Sequence, residues 1–210
     1  MDATSFSETL EDEMDVELER LGSSKLLVAL TDAELDEPTV LRTAADGEHA
    51  AARTFEAWAD DETDEGAREA FAELAARERD HYDRVTDALE GDHDGTPEDG
   101  AVHAEPRSLE TTTARLGGLV GRALVGERTH LQLVSFFVNE GDETRAELFR
   151  ELRADTNASR ERALELLADV CETDEDWGRA REAAESVIQR AYDEYADSLE
   201  GLGVDPKPIC

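Results

Sequence analysis

Residues 67–85 read AREAFAELAARERDHYDRV, and the spacing within this stretch decides the fold. Ala67, Phe71, Leu74, Glu78, His81, Val85 and Ala88 follow one another at steps of three and four. That spacing lines them up on one face of an α-helix. Glu78 and His81 stand on it where Leu or Ala is expected. A Glu followed by a His three residues on projects from one helical face, and both can reach one metal ion. The anomaly recurs in Leu41, Ala44, Glu48, Ala51, Phe55, Trp58, and again in Leu116, Val120, Ala123, Glu127, His130, Val134, Phe137. Three apolar stripes therefore carry a Glu at mid-length, and two of them add a His one turn later.

Turn and cap signals divide the chain around these stripes. Asp36-Glu37-Pro38 opens a helix expected to run to about Ala59. The turn at 60–66 supplies Thr63 or Asp64 as N-cap for a second helix running to about Leu89. Residues 91–106 form a polar, turn-rich connection, too long for a simple antiparallel neighbour. A third helix is expected from about Ser108 to Asn139 and a fourth from Thr144 to Val170, joined by a turn at 140–143. Thr173-Asp-Glu-Asp176 has capping-box form and starts a fifth, ending near Leu199–Gly201. The tail from Asp205, with two prolines, cannot be helical.

At the other end, residues 1–10 read as polar and loose. A short helix over 12–21 stops at Gly22, and Leu26–Leu30 is either another turn or two of helix or an edge strand, with helix favoured because no second strand candidate exists to pair with it. Hairpin, crossover, hairpin is the order of a four-helix bundle with one long crossover. The expected fold is thus all-α, with a bundle over 37–170, a helical extension over 1–36, and a packed C-terminal helix and tail over 171–210.

The two hairpins resemble each other. Gly47-Glu48 repeats as Gly126-Glu127 at an offset of 79, and Phe71-Ala-Glu-Leu74 as Phe149-Arg-Glu-Leu152 at an offset of 78. Glu48 and Glu78 lie equally far from the first turn, about 22 Å along their helices at 1.5 Å per residue. Glu127 lies at nearly the same depth from the second. Pseudo-two-fold symmetry would bring Glu48, Glu78, Glu127, His81 and His130 into one layer of the core. A lone carboxylate in an apolar core costs several kcal/mol unless it is neutralised or paired. A divalent ion among them removes that cost.

Composition narrows the classes of function. The 210 residues include 54 acidic and 21 basic ones, for a formal net charge of −33, and the only lysines are Lys25 and Lys207. An excess spread over the whole chain repels itself, is screened by salt, and reads as adaptation to a high-salt cytoplasm, the other reading being a partner with a large basic surface. With no basic patch, direct nucleic-acid or anionic-membrane binding is not expected. No secretory leader opens the sequence, and no apolar run spans a bilayer. Cys171 and Cys210 form no CxxC pair, so Cys171 reads as a small core residue and Cys210 as a terminal thiol. Gly117, Gly118, Gly121 and Gly126 read as places where another helix comes close.

With Gly47-Glu48, Glu78-x-x-His81 and Gly126-Glu127, the chain resembles the ferritin-like superfamily, specifically rubrerythrin-type di-iron carboxylate proteins, over about residues 38–170. The second half departs from that pattern, with Thr156-Asn-Ala-Ser159 where Glu-x-x-His would repeat. The resemblance implies iron, one ion or an asymmetric pair, held by Glu48, Glu78, His81, Glu127 and His130, with Asp155 as a further candidate. It implies reduction of peroxide or dioxygen, using an external electron donor because no rubredoxin-like segment is present. The alternative is a helical scaffold or regulatory protein that has lost full metal binding. An oxygenase with a groove beside the fifth helix is a third reading without a sequence signature. Pairing of two copies through helix faces is compatible with all of these.

Other chemistry-bearing residues have plainer readings. His49 points off its stripe toward the surface, and His93 and His103 lie in the solvated connection. Tyr82 is expected to pack, and Tyr192 and Tyr195 to dock the fifth helix.

Overall fold

The computed structural model describes residues 1–89 and 108–207. Among them the chain is all-helical, with α1 (Ala3–Glu13), α2 (Asp15–Leu21), α3 (Lys25–Leu30), α4 (Glu37–Asp61), α5 (Glu65–Asp87), α6 (Thr112–Glu140), α7 (Glu143–Val170) and α8 (Asp174–Gly201). The connection expected over 91–106, with His93, His103 and Cys210, lies outside the described residues. No described helix is long and apolar enough to cross a membrane.

Local chemistry sets the boundaries. Asp36, Asp64, Thr111 and Asp142 cap α4 to α7, each side chain accepting a backbone N–H from the first turn. Thr173 and Asp176 close the expected capping box of α8. Gly141 ends α6 at φ 77°, a left-handed conformation that suits glycine.

The first ten residues are not loose. Asp2 caps α1 by accepting from Ser5 N, and Phe6 and Leu10 are fully buried, Phe6 against Trp177. Two apolar residues four apart define a helical face even among acids, which the polar composition masks. Met14, at φ −109° and ψ 21°, interrupts the helix, so the short helix over 12–21 starts later than expected, at Asp15.

The hairpins α4–α5 and α6–α7 form as expected, and α8 packs along α6. Two glycines permit that last contact. A Cβ on Gly117 would lie 2.0 Å from the Ala180 carbonyl oxygen, and one on Gly121 2.5 Å from that of Ala184. Tyr195 is buried, with its hydroxyl 3.2 Å from that of Ser23, and Arg20 donates to the Tyr192 hydroxyl. The tyrosines thus tie α8 to the N-terminal helices.

A buried ion pair links the two hairpins. Glu62, after α4, accepts from Thr63 N, Asp64 N and Thr112 Oγ1 through one oxygen and from Arg115 through the other. Arg115 also donates to Asp61 and to the Leu109 carbonyl.

The core divides into two apolar clusters. One holds Phe55, Trp58, Phe71, Leu74, Leu116, Leu119, Ala163 and Leu167, with the faces of α1, α2 and α8. The other holds Val40, Leu41, Ala44, Val85, Leu133, Phe137, Phe149 and Leu152. All four hairpin helices pass from one cluster to the other. The residues at the crossing points are Glu48 on α4, Glu78 and His81 on α5, Glu127 and His130 on α6, and Asp155, Thr156 and Ser159 on α7.

Replacing Gly117 with Ala forces α6 and α8 apart. It is expected to cost about 1–3 kcal/mol, at about 2–4 °C of melting temperature per kcal/mol. Gly178→Ala, where a Cβ meets nothing within 4 Å, is expected to raise stability by about 0.5–1 kcal/mol. Thermal unfolding compares the two, and a Gly117→Ala protein as stable as wild type would contradict the close packing.

Candidate metal centre

Glu48, Glu78, His81 and His130 are 6%, 8%, 1% and 5% exposed. Phase alone puts them inside, because a helix packing Ala44 and Phe55 inward must also turn Glu48 inward. The Glu48, Glu78 and His81 side chains each offer one ligand atom, and these atoms lie within 4.8 Å of one another.

His81 organises the group. Its Nε2 lies 3.1 Å from Asp155 Oδ2 on α7. Its Nδ1 is buried without a hydrogen-bond partner and faces Glu48 Oε2 and Glu78 Oε2, each 3.6 Å away. That separation is too long for a hydrogen bond. It is, however, the spacing of atoms that share a metal ion, since ligands about 2.1 Å from one ion stand about 3–4 Å apart. A carboxylate on one ring nitrogen fixes the tautomer and leaves the other nitrogen as the ligand atom.

His130 reaches Glu48 through Nε2, 2.9 Å from Oε1, while its Nδ1 lies 3.3 Å from Thr156 Oγ1. Thr156 donates its hydroxyl hydrogen to the Leu152 carbonyl, which holds its oxygen beside His130 Nδ1. His130 therefore holds one oxygen of Glu48 and leaves the other facing His81. Its place is behind the expected ligand set.

Glu127, expected as the third carboxylate, is turned away. Its Oε1 lies 3.0 Å from Arg160 Nε on α7, and the Asn157 amide, with its nitrogen facing the carboxylate, donates to both oxygens. With no Glu-x-x-His on α7 there is no second set of ligands to draw it inward, and Arg160 supplies the counter-charge instead. Asp155, the candidate further ligand, sits on the far side of the His81 ring. His49 packs at a tilt against Tyr82 with centroids 5.2 Å apart, off the cluster. Arg160 carries no stripe signal in the sequence. The role of Asp155 had one signal, since it lies as far after the turn at residue 141 as Glu127 lies before it.

The electrostatics follow from burial and pairing. Burial is the largest influence on Glu48 and would raise its pKa. Hydrogen bonding from His130 and the facing His81 outweigh it, and the carboxyl stays well below the usual carboxylate range. Burial, reinforced by the charge on Glu48, lifts Glu78 to about 7. Burial would lower His81, yet Glu48 and Glu78 together raise it to about 10. The metal-free site thus holds protons where a cation would otherwise sit. The residues present fit one ion, and Glu127 is paired with Arg160.

Compared with known proteins, the chain matches no family model, no curated protein and no solved structure.

Metal-free stability should depend on pH in a defined sense. His81 has a folded-state pKa above its ordinary 6.5, so its contribution is full below pH 6.5 and is lost as pH rises through about 10. Glu78, raised from 4.5 to about 7, adds a loss over that lower interval. Glu48, lowered, contributes above its ordinary 4.5 and loses that contribution only as pH falls below it. The melting temperature of the metal-free chain in concentrated salt is therefore expected to fall from pH 6.5 to 10, and that of His81→Leu to fall less. Equal slopes in the two proteins would place the effect outside the cluster.

Proposed function

We propose that the chain is a ferritin-like, rubrerythrin-type protein of a high-salt cytoplasm that binds one divalent ion through Glu48, Glu78 and His81. The resemblance implies iron as the ion, and reduction of peroxide or dioxygen as the activity. The observation that carries the reading is the unpartnered Nδ1 of His81, buried and facing two carboxylate oxygens from α4 and α5. A buried nitrogen without a partner is uncommon, and an ion placed between it and the two oxygens satisfies all three.

The chain's own residues divide the remaining work. Glu48 and Glu78 supply the negative charge that a cation needs in a dry interior. Asp155 holds His81 by its other nitrogen, and His130 holds the oxygen of Glu48 that faces away from His81. Bound iron would supply electron transfer and Lewis acidity. Peroxide takes up two electrons and two protons to give two waters, so an external donor is required.

One observation favours a second reading, a non-catalytic helical scaffold. On α7 the ligand pattern is replaced by Thr156 and Ser159, and Arg160 neutralises Glu127. On that reading Glu48, Glu78 and His81 are a relic network. Replacing Glu78 with Leu and His81 with Met would then stabilise the protein and spare its function.

Anaerobic reconstitution with ferrous iron in concentrated salt, followed by elemental analysis and a peroxide-consumption assay with a chemical reductant, separates the two. Wild type and Glu127→Gln are expected to retain about one iron per chain. Glu78→Ala and His81→Ala are expected to lose the iron and the peroxide consumption with it. Metal-free wild type under these conditions would remove the proposal and leave the scaffold.

A further inference from the structure

The metal centre opens onto a cavity that the proposed peroxide chemistry does not use. The backbones of α4 and α6 stand apart, unlike the closely packed pairs α4–α5, α6–α7 and α6–α8. Between them lies a cavity of about 500 Å³, roofed by α3 and bounded by α8. That volume is within the range of about 300–1,000 Å³ that holds small-molecule ligands, whereas peroxide needs only a small fraction of it.

The lining has two ends of different chemistry. Leu26, Phe55, Leu119, Ala123 and Leu133 present carbon to the space. Polar residues near α3 and α8 are turned to partners. Ser198 donates to the Ala29 carbonyl, and the Tyr195 hydroxyl lies between Ser23 and the Pro206 carbonyl. At the other end are Glu48, Glu78, His130, Thr156 and Ser159. Glu48 faces His130 and His81 there, and Arg122 lies over the Phe55 ring. An anionic head would stand against the carboxyl groups of Glu48 and Glu78, while a neutral hydroxyl or amide meets both acceptors and hydroxyl groups.

We propose that this cavity binds one small, uncharged, largely apolar molecule with its single polar group beside Glu48 and Glu78. Binding does not depend on the metal reading.

Calorimetric titration of the metal-free full chain with octan-1-ol, and separately with octanoate, in concentrated salt tests it. Octan-1-ol is expected to saturate at about one molecule per chain and to bind at least about tenfold more tightly than octanoate. Ala123→Leu and Ala44→Leu fill the cavity from opposite walls, and whichever keeps the wild-type circular dichroism is expected to lose at least about tenfold in affinity. Absence of saturable binding, equal affinity for octanoate, or unchanged affinity in a folded cavity-filled variant would overturn the proposal. So would a wild-type dimer that the cavity-filled variants dissociate, because the cleft would then seat a second copy. Binding of octan-1-ol by a chain that takes up no iron would leave the cavity standing and remove the metal reading. Iron uptake without octan-1-ol binding would do the reverse.

Discussion

Two carboxylates and two imidazoles buried in one layer between apolar clusters constrain everything around them. Such groups cost several kcal/mol each unless protons, partners or an ion meet their charges. The fold meets that cost in steps. His130 takes one oxygen of Glu48, Asp155 takes one nitrogen of His81, and Thr156 stands beside the other nitrogen of His130. What remains is a nitrogen and two oxygens converging on one point and suited to a cation. The surrounding apolar layers, the Arg115–Glu62 tie and the close approach of α6 and α8 all keep that layer in register.

Most of this layer was legible in the sequence because helical phase and depth are both readable from spacing. The stripes through Glu48, Glu78 and His81 fixed the face, and equal distances from the first turn fixed the level. Depth alone could not say where a side chain points once it arrives. Glu127 reaches the right level but turns to Arg160, whose position on the next helix depends on tertiary packing. Asp155 reaches the same level and acts through His81. His130 shares the stripe and bonds a ligand carboxylate from behind. At the N-terminus, polar composition hid the two-residue apolar face of Phe6 and Leu10, which needs the Trp177 side of α8 to become a core.

The cavity has no sequence signature, since it arises from two helices whose backbones stand apart. Leu119, Ala123 and Leu133 on α6 look like ordinary core positions, and only the distance to α4 leaves space between them. The layer and the cavity meet at Glu48, Glu78 and His130, which belong to the first and line the second.

A crystal structure of the iron-loaded protein, with an anomalous difference map, tests the central claim most directly. The account predicts a single peak between α4 and α5, about 2.0–2.3 Å from His81 Nδ1 and from one oxygen each of Glu48 and Glu78. It also predicts that Glu127 remains with Arg160. A peak held by Glu127, or no peak with the His81 nitrogen met by water, would contradict it.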